Sequence, residues 1–202
     1  VGPGTAWYRS VEPTDLPLEI DAVKLNRRVD DNDEDAAYER RIRAATEYAE
    51  SRIGRGLLTQ TWVYQQDYFT REWLLPMAAP LQSVSSVKYY DPDGVQQTLA
   101  TSVYLVDSSS ELGRITLAPG ESWPSIQSDR PLAVQTTYVV GWTDSDLIPQ
   151  MVLEAMLLFI GDRDEHRENT VIGTGYTVQQ MPYGTDQMLA PFARQWYPPE
   201  CW

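Results

Sequence analysis

The 202-residue chain has a single cysteine, Cys201, and a single histidine, His166. One cysteine excludes an internal disulfide, which disfavours an oxidised secreted scaffold and fits a reducing cytoplasm. One histidine leaves little material for nucleophilic catalysis, because a serine or cysteine nucleophile needs a base to activate it. Basic residues are also scarce: 16 Lys and Arg stand against 29 Asp and Glu, a formal net charge of -13. A surface built to neutralise nucleic-acid phosphates is therefore not expected, and DNA near this protein would pass without being gripped. Long apolar runs are missing too. The longest, Met151 to Ile160, carries Glu154 and is far short of the roughly 20 residues that cross a bilayer. The opening Val1-Gly2-Pro3-Gly4 lacks the basic-then-apolar pattern of a signal peptide, so a soluble chain with no membrane segment is expected.

The material present is that of a folded protein. Hydrophobic residues make up 42% of the chain and charged residues 22%, which gives a core and excludes a disordered or fibrous composition. At roughly 100 to 200 residues per domain, the length suits one domain or one domain with an insertion. The acidic excess has no single source. Acidic and basic side chains number 12 and 9 over residues 1–60, 10 and 4 over 61–147, and 7 and 3 over 148–202.

Periodicity divides the chain. Residues 1–16 are rich in Pro, Gly and turn formers and read as an N-terminal arm. Pro17, tolerated where a helix has no amide partner to lose, opens a helix predicted over 17–28. The acidic run Asp30 to Asp35 supplies a turn and an N-cap for a second helix over 34–54, with Tyr38, Ile42, Ala45 and Ala49 on one face. Gly54 and Gly56 end it. The period then becomes two, and Thr61–Phe69, Ser83–Tyr90, Val95–Leu99, Val103–Asp107, Arg114–Leu117 and Ala133–Val140 read as about six strands. Asp91-Pro92-Asp93-Gly94 is a hairpin turn, since proline presets one torsion and glycine accepts a left-handed one. A third helix over 147–167, capped by Ser145 or Asp146, is apolar nearly all round in its first half and must be enclosed by other elements. The expected fold is thus α+β: a small helical bundle (17–58 and 146–168) carrying an inserted antiparallel β module (59–145) and an extended C-terminal arm (169–202).

The chemical motifs are weak. Asp162, Glu165 and His166 share a helix face, but the alternating charges of Asp162 to Glu168 read as a solvated helix end, and no metal site or cofactor is expected. The Asp91–Asp93 pair, or Glu121 near Trp123, has the residue types of a glycosidase, but the first pair is explained by its turn. Trp73, Trp123 and Trp142 would serve a carbohydrate-binding or hydrolytic β domain as sugar platforms; this is the alternative from another functional class. No nucleophile-elbow or phosphate-loop glycine spacing is present, and no catalytic residue is assigned. The tail instead carries an aromatic load that a free polar tail rarely needs, and a partner surface explains it. Tyr176, Tyr183, Leu189, Phe192, Trp196 and Trp202 are the candidate contacts. A short helix over 186–195 would put Leu189, Phe192 and Trp196 on one face.

The order of parts adds a resemblance. A helix closes on Lys24-Leu25-Asn26-Arg27-Arg28-Val29, the acidic turn follows, and a second helix closes on Ile53-Gly54-Arg55-Gly56-Leu57-Leu58-Thr59-Gln60-Thr61-Trp62. Downstream come Leu74-Leu75-Pro76, Pro80 to Val87, Tyr104-Leu105-Val106-Asp107, Gly113-Arg114-Ile115 and Tyr138 to Trp142. Over residues 17–168 this order resembles the head-tail connector (adaptor) proteins of long-tailed phages and gene transfer agents. Arg27 departs from the pattern, standing where an apolar residue is usual. The resemblance implies a non-enzymatic structural protein of the virion neck, assembled in the host cytoplasm as a twelve-fold ring. Its implied partners are the portal protein, reached by the C-terminal segment, and the next neck protein, a stopper, with DNA passing through the channel. A stopper or tail terminator is the alternative within the same setting.

Overall fold

The computed structural model describes residues 4–29, 32–109, 113–165 and 183–193, with backbone alone at Glu165 and Tyr183. The chain forms two compact units. Among the described residues, the first comprises 4–14 and 54–143 and is all β; the second comprises 15–53, 144–165 and 183–193 and is helical.

In the β unit, β1 (Thr5–Val11), β2 (Gln60–Gln66), β8 (Val134–Val140), β4 (Leu81–Tyr90) and β5 (Gln96–Thr98) form a five-stranded sheet in that spatial order. A second sheet has the order β3 (Glu72–Leu74), β7 (Arg114–Leu117), β6 (Tyr104–Asp107). Every pairing between these strands is antiparallel. Strand β8 shows why these residues choose a sheet: Val134, Thr136, Tyr138 and Val140 alternate inward and are each 1% exposed or less, while the residues between them face outward. Tyr138 donates its hydroxyl to the Pro76 carbonyl at 2.6 Å, so the buried polar end of the ring is satisfied. Burial pushes the Tyr138 phenol well above its ordinary pKa, with a smaller contribution from Tyr64.

Among the described residues, six of the eight strands match the sequence expectation to within a few residues. The two that were missed have physical reasons. Strand β1 lies within the expected N-terminal arm and pairs with β2 as an edge strand, so its half-buried residues lack the alternation that marks a strand. Strand β3 is three residues long, too short to show a period. The hairpin turn forms as read: Gly94 has φ 79°, and Asp91 Oδ1 accepts from the amides of Asp93 (3.1 Å) and Val95 (2.9 Å).

The helical unit comprises α1 (Ile20–Arg27), α2 (Asp35–Ile53), α3 (Gln150–Glu165) and α4 (Tyr183–Leu189), with 3-10 turns at Ser145–Leu147 and Ala190–Phe192. Tyr38, Ile42, Ala45, Ala49 and Ile53 form the buried stripe of α2 at helical spacing. Val152, Ala155, Met156 and Ile160 do the same on α3. Each large aliphatic side chain so buried contributes about 1.5–3 kcal/mol.

Three boundaries differ from expectation. Helix α1 starts at Ile20 rather than at Pro17, and ends where Arg28 turns left-handed (φ 57°) and Val29 N–H bonds back to the Lys24 carbonyl at 3.0 Å. Neither Ser145 nor Asp146 caps α3. Asp144 instead accepts from the Asp146 amide at 3.0 Å and caps the 3-10 turn that precedes it. The C-terminal helix spans Tyr183–Leu189, not 186–195, because Pro191 has no N–H to continue the ladder and Ala193 is extended.

Candidate functional site

Of the six tail residues expected to meet a partner, Tyr176, Trp196 and Trp202 lie outside the described residues, and Tyr183 opens α4. Leu189 is 2% exposed inside the helical unit, and Phe192 is half-buried in the 3-10 turn after it. The shared helix face expected for Leu189 and Phe192 does not form, because the α-helix stops between them. Leu189 thus serves its own bundle.

Two polar anchors hold α4. The Tyr48 hydroxyl donates to Asp186 Oδ1 at 2.6 Å, and Arg52 Nη2 donates to Asp186 Oδ2. The Tyr48 hydrogen bond, followed by Arg52, lowers the Asp186 pKa, while Tyr48 and Asp186 together raise that of Arg52. Tyr48 also stacks on Phe159 of α3 with ring centroids 4.6 Å apart. Beside this stack, α2 and α3 leave a groove of about 700 Å³ whose lining includes Ala44, Tyr48, Phe159, Arg40, Arg41 and Arg163.

A second charged group lies deeper. The Asp164 side chain, 9% exposed, sits between Arg41 Nε at 3.0 Å and Arg27 Nε at 3.4 Å. Arg41 in turn lies over the Tyr38 ring at 4.8 Å and within 3.6 Å of Glu34. This corrects the reading of a solvated helix end at Asp164, which is turned inward to neutralise two arginines, while 166–168 of that run lie outside the described residues. It also accounts for Arg27, whose charge is paired and whose Nη1 would lie 3.2 Å from a Cβ on Gly161. Lys24, 6% exposed, is held similarly: its Nζ donates to Asp35 Oδ1 at 2.9 Å and to Asn32 Oδ1. Part of the acidic turn is therefore a cage for one lysine. The sequence signal was available in the spacing of Lys24 from an acidic run, but the pairing of α1 with that run is a tertiary fact.

The sugar-platform reading is not supported by the geometry. Trp73 is 4% exposed in the β-unit core, Trp123 packs against that core, stacked on Phe69 at 4.8 Å with the ring planes 6° apart, and Trp142 is half-buried. Asp91 is equally unsuited to act as a general acid. Its carboxylate accepts from Gln97 Nε2 at 2.9 Å as well as from two amides, and these hydrogen bonds lower its pKa, where a glycosidase acid needs it raised. Among the described residues, no group of three or more His, Cys, Asp or Glu is placed to hold a metal ion, and no helix is long and apolar enough to cross a membrane. His166 lies outside the described residues.

An antiparallel β unit whose edge strand β1 precedes the helical unit and whose other strands lie in sequence between that unit's two parts is the architecture of this chain, and comparison with solved structures gives it relatives. A chain of the neck of an empty GTA particle, computed with C6 symmetry, superposes with TM-score 0.73 at 19% identity, covering 96% of this chain and 98% of that one. A chain from the virion of a native gene transfer agent (GTA) particle gives TM-score 0.72 at 19% identity over 96% and 97%. A chain of the neck of a native GTA particle, computed with C12 symmetry, gives 0.69 at 17% over 96% and 98%. The protein shares the fold of these chains along nearly its whole length. No protein-family model matches the sequence, and no curated protein matches it.

Proposed function

We propose that this chain is a structural subunit of the neck of a phage-like particle, the head-to-tail adaptor that forms a ring beneath the portal and extends the channel for DNA. The observation that carries this reading is a shared fold over 96% of the chain with neck chains of gene transfer agent particles. The six- and twelve-fold symmetries of those necks support a ring of copies here. The protein acts by geometry, with one face toward the portal and another toward the next neck protein, and with no catalytic step. Its net charge of -13 suits the task, because a ring multiplies it by the copy number and an acidic lumen repels the phosphate backbone. Portal docking falls to the aromatic residues of the C-terminal segment, Tyr176, Tyr183, Phe192, Trp196 and Trp202, while Leu189 is occupied in the bundle.

Deletion of the coding sequence from a particle-producing host tests the assignment. The expected result is filled heads and separate tails, joined again when the gene is restored. Normal tailed particles in the deletion strain would overturn it.

A further inference from the structure

The helical unit carries two unlike surfaces that fit one another. On the first, Met151 and Leu158 of α3 are 47% and 40% exposed with exposed Glu154 between them, and exposed Asp146 and Leu147 (57%) lie in the 3-10 turn before the helix, which makes a mixed apolar and acidic stripe. Solitary exposed apolar residues need no explanation, but Met151 and Leu158 lie two turns apart on one line of α3, with Leu147 just before the helix. The second surface is the α2–α3 groove, floored by the Tyr48–Phe159 stack and edged by Arg40 and Arg163, with Arg41, already paired with Asp164 and Glu34, and Glu47 also lining it. Arg163 lies 5.2 Å from the Phe159 ring centroid, which keeps its charge at the mouth of an apolar recess.

The two surfaces point in different directions. At about 100° per residue, Met151, Glu154 and Leu158 lie on one side of α3 and Ile160 and Arg163 on the other, with Phe159 about a quarter-turn from the first side. One molecule cannot close them on each other. Two different patches on opposite sides of one unit, with complementary charge, are the requirement for a head-to-tail contact that repeats from copy to copy. We infer that the acidic-apolar stripe of α3 on one copy seats in the arginine-edged groove of the next, the occupant being a second copy of this chain. The inference rests on the ring reading above and names the surfaces that would build such a ring.

Disulfide trapping tests it in a Cys201→Ser background. Full-length chains carrying Arg40→Cys and chains carrying Glu154→Cys are mixed at high concentration and oxidised. The mixture is expected to give a linked dimer that neither variant gives alone, and a chain with both substitutions to give a ladder of higher oligomers. A mixture that links no better than the single variants would overturn the inference. Charge exchange supplies a control for misfolding: Arg40→Glu in an otherwise unaltered chain loses association measured by sedimentation, and adding Glu154→Arg restores it. Failure of restoration, with both variants folded by circular dichroism, also overturns it. Particles made with the double-cysteine chain separate the two readings. The chain present at the neck but unlinked overturns this contact and leaves the neck assignment standing. Its absence from particles overturns the neck assignment, and the purified chains then decide self-association alone.

Discussion

The β unit and the helical unit treat buried polarity differently. The β unit buries Gln60, Gln66 and Thr136, all neutral, and Gln60 is met in its core by Trp62 Nε1 donating to its Oε1 at 3.0 Å. The helical unit buries Lys24 and Glu50 and seats the Asp164 carboxylate between two arginines. Charged pairs in the β unit stay at the surface, as Arg114 does with Asp107 at 3.0 Å. The β unit is thus held by apolar and aromatic packing. The helical unit adds ion pairs that are costly to break singly, because removing one partner strands the other in a poor solvent.

Substitutions should sharpen that contrast, beginning with the aromatic core. Trp73→Ala removes a ring packed against Phe69 and Trp123, and a loss of about 4 kcal/mol in denaturant unfolding is expected, with little dependence on salt. Asp164→Ala should cost about 3 kcal/mol, since Arg27 and Arg41 lose their shared counter-charge. Under the same assay Asp107→Ala, at an exposed pair, should cost only about 0.5 kcal/mol and vanish at high salt. Equal costs for Asp164→Ala and Asp107→Ala would break the comparison.

Between these last two lies Asp186. Its folded pKa is depressed, so its contribution is present above the unfolded carboxylate value and is lost as pH falls through the lower folded value. Asp186 is half exposed, and solvent screening keeps the effect below about 1 kcal/mol. Unfolding titrations of the native chain and Asp186→Asn should differ at neutral pH and converge in acid. Tyr138 gives the opposite sign at the alkaline end. Its pKa is raised, so its contribution holds below the unfolded phenol value and is lost as pH climbs above it. Tyr138→Phe should flatten the alkaline limb of the stability profile, at a cost near neutrality of about 1 kcal/mol for the lost bond to Pro76.

What could be read from the sequence follows the same division. Alternation marked β8 and the 3.6 period marked α2, because each buries one face continuously. The turn at Asp91 to Gly94 was legible because its chemistry is local. Strand β1 was not, since an edge strand with half-buried residues carries no period, and the end of α4 at Leu189 was missed although Pro191 marks it. The inward turn of Asp164 could not be seen in a run of alternating charges, which reads identically whether its arginine partners are neighbours or lie on other helices. The apolar and aromatic tail residues look like one group in the sequence, but Leu189 is buried and Phe192 half-buried, a distinction set by tertiary packing.

Placement in the particle neck is tested by an image reconstruction of the neck from purified particles of the producing host. The expected result is a ring between head and tail into which the β and helical units of this chain fit, with the groove edged by Arg40 and Arg163 filled by the Met151–Leu158 stripe of the adjacent copy. A neck whose every ring is accounted for by other chains would contradict it.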